Sequence, residues 1–209
     1  MLMKKKLCRP LLNKVAAILS FLCLISLGGA LSAANISTQK KNDSECAFSL
    51  QGEIKAGDAE QLSKLIESSR KFVAWEPSYI CLDSPGGSLM EGIELAKVIS
   101  GAGLSTRIPR NSICLSACSI AFMAGSFSHP EGEMSSTQRT MHPTAKLGFH
   151  APSLSIPQGE YNERSVEKAY GIALQAVAAV ADLRANSIQE FSESIFIRFL
   201  RTPASTFTY

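Results

Sequence analysis

The residues of this 209-residue sequence best suited to covalent chemistry gather in one short stretch. NSICLSACSIAFMAG, Asn111 to Gly125, carries Ser112, Ser116 and Ser119 together with Cys114 and Cys118. A serine hydroxyl is a weak nucleophile until a base within hydrogen-bond reach takes its proton, and histidine has the pKa for that task near neutrality. The sequence has three histidines, His129, His142 and His150. Acyl transfer also needs N–H donors aimed at an oxyanion. CLDSPGGSLMEG, Cys81 to Gly92, offers a place for one, because Gly86 and Gly87 let another group approach the main chain closely. The plain structural reading is a tight turn, with serines and histidines that merely satisfy local hydrogen bonds.

The surrounding pattern says how these residues are positioned. CAFSLQGEI, Cys46 to Ile54, alternates as a strand does, and Leu62, Leu65 and Ile66 make a helical stripe up to about Lys71 behind an Asp58–Gln61 capping-box spacing. Tyr79 to Leu82 is short and apolar, as a buried strand would be. Ser88 and Glu91 form a second capping-box pair, and Leu89, Ile93 and Ala96 recur at helical spacing until Gly101. Gly86 and Gly87 therefore form a strand-to-helix turn. Leu104 to Ile108 is a third strand. In Asn111 to Gly125 a short apolar front half leads into a helix of small residues, which puts Ser116 near unpaired N–H groups that suit an anion. Ser112 precedes the strand, and Ser119, almost a turn further on, is placed to bond back to a carbonyl.

Charge and cysteine usage bound the compartment. Lys4, Lys5, Lys6, Arg9 and Lys14 flank an apolar run from Val15 to Leu27, and small residues follow at Ser32, Ala33 and Ala34. Residues 1 to 34 thus read as a secretory signal cleaved after Ala34, with an uncleaved membrane anchor as the alternative. Residues 35 to 45 read as a polar leader, and 46 to 209 as a single domain. The signal holds five of the 21 Lys and Arg and none of the 18 Asp and Glu, so the remainder carries a net −2 in place of the whole chain's +3. No basic patch remains for nucleic acid. The remaining Cys46, Cys81, Cys114 and Cys118 are an even set in an oxidising space, which allows three pairings; Cys114–Cys118 and Cys46–Cys81 are the expected ones. A single Cys-x-x-x-Cys is a weak zinc signal, and no metal or cofactor is expected.

SPGGS, Ser84 to Ser88, then Ser116 in LSACSIAFMAG, then GFHAP, Gly148 to Pro152, resemble the successive motifs of the Clp peptidase family and its crotonase-fold relatives. The resemblance spans Cys46 to Pro152 and, loosely, the helical tail. It implies an α/β fold of repeated β-β-α and β-α units, with Ser116 as nucleophile, His150 as base, and the N–H groups of Gly87 and Ala117 as oxyanion hole. Pro143 fits the proline that precedes the family's histidine. Ser126 to Thr140, with Pro130 and Gly132, then reads as an inserted surface loop. The family's triad aspartate follows a long helix, here marked by Val166, Tyr170, Ala173, Val177 and Ala181. Its place falls on Arg198 or on the tail TPASTFTY, neither of which is acidic; Asp182, Glu190 and Glu193 are near, but no motif selects one.

The expected function is hydrolysis of a peptide or protein substrate in the periplasm by a Ser-His dyad or incomplete triad. The alternatives are a non-catalytic scaffold of the same fold, a crotonase-type acyl-thioester enzyme, and a Ser-Lys peptidase. Clp peptidases form rings through an extended region after the histidine; Ala151 to Asn162 is short and polar here, so an oligomer is allowed but not specified. For export the expected outcome is a mature chain beginning near Asn35 in periplasmic material, measured by intact mass. An unprocessed N-terminus in the membrane fraction would overturn it.

Overall fold

The computed structural model describes residues 34–39, 46–69, 77–128, 135–153, 158–186 and 192–209. Residues 1–33 of the expected signal, His129 and Glu190 lie outside them, whereas Ala34 is described and buried. Strand β1, Asn35–Thr38, pairs antiparallel with β2, Phe48–Gln51, placing Ile36 opposite Leu50. The first part of the segment expected as a polar leader is therefore an edge strand. Ile36 is its buried anchor, and Ser and Thr beside it suit a solvated edge.

The remaining main-sheet strands run parallel. β3, Tyr79–Asp83, pairs with β2, β4, Ser105–Ile108, pairs with β3, and β8, Arg139–Met141, closes the order β1-β2-β3-β4-β8. Helix α1, Asp58–Ser68, joins β2 to β3, and α2, Leu89–Gly101, joins β3 to β4. Phe48, Leu50, Ile80, Leu82, Leu104 and Ile108 are fully buried, as parallel strands covered by helices require. A second, two-stranded sheet consists of β5, Ile113–Leu115, and β9, Lys146–Gly148, also parallel. Helix α3, Ala117–Met123, follows β5. The stretch expected as an inserted surface loop is more ordered than that. It contains the antiparallel pair β6, Ser126–Ser128, and β7, Ser135–Thr137, and then enters β8. Its polar composition reads as loop because these strands are three residues long and gain stability from backbone pairing. Two helices end the chain, α4, Glu163–Asn186, and α5, Glu193–Arg201. Ser32–Tyr209 forms one compact α/β unit.

The helix starts follow the capping expectations only in part. Ser88 Oγ accepts the Glu91 N–H at 3.3 Å, one half of a capping box. The Glu91 carboxylate does not return to Ser88; its Oε1 accepts the Gly57 and Ala59 N–H groups at 3.2 and 2.8 Å, at the start of α1. The two helices therefore share one cap. At α1 the N-cap is Gly57, with φ 98°, and the Asp58 carboxylate accepts the Lys55 N–H at 2.8 Å, so the expected Asp58–Gln61 box does not form. Gln61 instead donates to the Ile36 carbonyl and pins β1.

The cysteines are paired Cys46–Cys81 and Cys114–Cys118, with Cα–Cα separations of 5.7 and 5.1 Å. Pairing takes all four out of use as metal-binding thiolates and suits an oxidising, extracytoplasmic compartment. Closing the 35-residue span between Cys46 and Cys81 lowers unfolded-chain entropy by about 4 kcal/mol in the loop-closure model. Among the described residues no helix is long and apolar enough to cross a membrane.

Asp58 is 2 % exposed, and desolvation by burial raises its pKa above 3.8, more than the Lys55 N–H lowers it; Glu91 adds like-charge repulsion. A raised folded-state pKa means the folded protein binds this proton more tightly. The group's contribution to stability is therefore complete below 3.8 and is lost as pH rises through the folded value. Asp58→Asn keeps an acceptor for Lys55 and does not titrate, so its Tm should gain on wild type as pH rises through this window. A constant difference in Tm across the window would contradict the assignment.

Candidate active site

Ser84 is the joint from which the site is built. It is fully buried where β3 ends, its N–H donates to the Ile113 carbonyl at 2.7 Å, and its carbonyl accepts the Leu115 N–H at 3.1 Å. β3 is thereby tied to β5, and Asp83 Oδ1 reinforces the tie by accepting the Ile113 N–H at 3.0 Å. Ser84 Oγ accepts the Gly86 N–H at 3.0 Å, which folds the glycine turn back over the same residue. Ser84 is a supporting residue that the sequence motif contained without showing its task; the Ser-x-Gly spacing of a hydroxyl-capped turn was the available signal.

The two glycines have different neighbours. Gly87 lies against Ile54, where an added Cβ would come within 2.2 Å of the carbonyl oxygen. The Ile54 N–H donates to Gly86 O and the Ser88 N–H donates to Ile54 O, so both residues flanking Gly87 bond toward Ile54. In such a parallel bridge the central residue's own N–H faces the other way. Gly86 lies against the Ser116 turn: a Cβ there would sit 2.6 Å from Leu115 O, 2.6 Å from Ser116 Cβ and 3.2 Å from Ala117 N. Gly92 on α2 and Gly148 on β9 are equally close to the same turn, meeting Ala117 and Leu115. Glycine on three neighbouring elements thus makes room for the run Leu115-Ser116-Ala117, which a reading centred on the Gly86–Gly87 pair did not include.

Ser116 occupies the bend between β5 and α3 with φ 55° and ψ −123°. This conformation costs a non-glycine residue about 1–3 kcal/mol and persists only where its surroundings impose it. Several contacts do so. The Ser116 N–H donates to Gly148 O at 3.0 Å, and the Ser116 carbonyl accepts both the Ser119 N–H at 2.9 Å and the Ser119 hydroxyl at 2.6 Å. Ser119 is fully buried and bonds backward, as its spacing predicts. Ser116 is half-buried, and its hydroxyl has no hydrogen-bond partner among the described residues. A sharp strand-turn-helix with a left-handed serine at its apex is the geometry that presents nucleophiles in many hydrolases. The N–H groups of Gly87 and Ala117 likewise have no partner among the described residues. Because α3 has only seven residues, an anion at this turn would meet these individual donors more than a helix dipole.

His150 follows β9, and Leu115 pairs with Gly148, so Ser116 and His150 emerge at the same end of two adjacent parallel strands. They do not hydrogen-bond to each other. His150 Nδ1 donates to the Ala151 carbonyl at 2.7 Å, since a carbonyl can only accept, and Nε2 is left with the lone pair of a base. The ring meets Phe207 edge-on, with centroids 5.1 Å apart. The tail fixes this strand end: the Ala151 N–H donates to Thr202 O at 2.9 Å, and Phe149 and Thr208 exchange two 2.9 Å bonds. The aspartate's expected place is thus filled by an uncharged segment. Asp182 lines a separate cavity of about 460 Å³ between α2, α3 and α4, Glu193 is exposed in the first turn of α5, and Arg198 is exposed on that helix. Among the described residues no carboxylate bonds His150. His142 is engaged locally, its Nδ1 accepting the Thr144 N–H at 3.1 Å, and Ser112 is buried with its carbonyl on Lys146 N–H.

Gly86→Ala should lower stability by about 2–5 kcal/mol in urea unfolding, because φ is 99° and the clashing atoms are backbone and Cβ. Gly57→Ala has nearly the same φ, 98°, with nothing within 4 Å, and should lose only about 1–2 kcal/mol. Equal losses would show that the approach of Gly86 to Ser116 is not tight. A scan against protein-family models finds no match, and no curated protein matches the chain.

Proposed function

We propose that this protein is an exported serine hydrolase, similar to the Clp peptidases and of the fold their motifs imply, which cleaves peptide bonds with Ser116 and His150. The observation that carries this reading is Ser116 itself. A serine held at φ 55° by neighbours on three elements, with its hydroxyl unbonded and two unpaired N–H groups belonging to its own turn and the facing one, has no purely structural use for that cost.

In this mechanism Ser116 Oγ attacks the scissile carbonyl while His150 Nε2 takes the hydroxyl proton. The Gly87 and Ala117 N–H groups hold the oxyanion of the tetrahedral intermediate. His150 then passes its proton to the leaving amine, and water, activated by the same nitrogen, releases the acyl group from Ser116. The histidine and serine close to bonding distance when substrate fills the site, as hydrogen bonds of free enzymes often do. The Ala151 carbonyl replaces the aspartate in one of its two tasks. It fixes the Nδ1–H tautomer, but as a neutral dipole it stabilises the imidazolium less than a carboxylate would. Turnover slower than that of a complete triad follows.

The scaffold reading draws on the lack of a carboxylate at His150. Covalent labelling by a fluorophosphonate separates the two. Wild-type protein should label; Ser116→Ala should not, and His150→Ala should label at least about 10³-fold more slowly, with the double variant little worse than either alone in hydrolysis. Ser119→Ala should keep the label and lose about 1 kcal/mol of stability with its 2.6 Å hydrogen bond. A folded, oxidised wild type that takes no label, with peptidase activity unchanged in Ser116→Ala, would replace the enzyme by the scaffold.

A further inference from the structure

The Cys114–Cys118 link closes over Ser116. Cys114 lies on β5 before the bend and Cys118 on α3 after it, with Cα atoms 5.1 Å apart and both residues fully buried. The hydrogen bonds that bend Ser116 all act from one side or the other: Gly148 holds its N–H and Ser119 its carbonyl. The disulfide is the one covalent link between the two sides. Its ring of five residues is too short to stabilise the fold as the 35-residue Cys46–Cys81 closure does, so its effect falls on the bend. In a dithiol form nothing covalent opposes the relaxation of φ at Ser116 toward negative values, and that rotation turns the Ser116–Ala117 peptide and with it the Ala117 N–H.

We propose that Cys114 and Cys118 are positioning residues whose oxidation makes the site competent, so that the chain acquires hydrolase activity only on reaching an oxidising compartment. This rests on the serine hydrolase reading of Ser116. In the oxidation the two thiols lose two protons and two electrons, which pass to an external disulfide of the dithiol–disulfide carrier class and reduce it to two thiols. Because both sulfurs are sealed in the core, exchange takes place while the chain folds. The oxidation is a single activating event, and the folded enzyme does not switch back.

The test compares full-chain protein, purified after export, as wild type, C114A/C118A and C46A/C81A. Fluorophosphonate labelling per folded molecule should fall about 10²-fold or more in C114A/C118A, the loss expected for a displaced oxyanion donor, while C46A/C81A labels at the wild-type rate despite the lower Tm. The backbone amide resonances of Ser116 and Ala117 should move in C114A/C118A and stay in C46A/C81A. Labelling of folded C114A/C118A within threefold of wild type overturns the inference, as does a loss that follows Tm in both variants alike. If wild type itself does not label, the hydrolase reading fails, and the resonances alone decide whether the link positions the bend: unmoved signals in C114A/C118A overturn it. If C114A/C118A does not fold, C114V/C118A restores the lost volume. Collapse of both, with C46A/C81A folded, overturns the inference by making the link a requirement of the fold.

Discussion

The close approach of two backbones, the glycine turn after β3 and the serine turn after β5, is the constraint from which the rest of the site follows. At 2.6 Å from a would-be Cβ there is no room for any side chain at Gly86. The turn must in turn be held against that contact, and Ser84 does this with its amide, carbonyl and hydroxyl at once. On its far side the same turn meets Ile54, so the chain beyond β2, the glycines and the Ser116 bend form one stack of main chain. Backbone in such contact does not deform cheaply, and N–H groups placed this way need no reorganisation when charge develops nearby.

His150 reaches its place by a different route. β9 is short, and its pairing with β5 sets only the direction in which the chain leaves. What orients the imidazole is the peptide immediately after it, with Phe207 against one edge. Ser116 is over-determined by its surroundings, whereas among the described residues the imidazole of His150 is held by one hydrogen bond and one ring contact. The asymmetry leaves the imidazole freer to turn than the serine.

The alternation of strands and helices was legible because its signals are local: apolar runs bounded by Gly86–Gly87 and Gly101, and the Ser88 cap. Ser116 and His150 stand out in short motifs, and the structure brings them out at the same end of β5 and β9. β1 was not, because Asn35–Thr38 holds one buried apolar residue and owes its conformation to hydrogen bonds from β2. The division of Glu91 between two helices was also beyond a local reading, since its partners Gly57 and Ala59 are 34 and 32 residues away. Gly92 and Gly148 read as ordinary helix and strand glycines until the turn between them is in place. The Ala151 carbonyl is invisible in any sequence, because every residue has one.

The bonds from Thr202 and Thr208 to the strand that carries His150 give the site a direction in time. The bend at Ser116 draws on residues from Ile54 to Gly148, so it can condense before the segment from Thr202 to Thr208 has docked. The His150 side waits for that segment to pair with Phe149 and Ala151. Contacts this distant in sequence are slow to close.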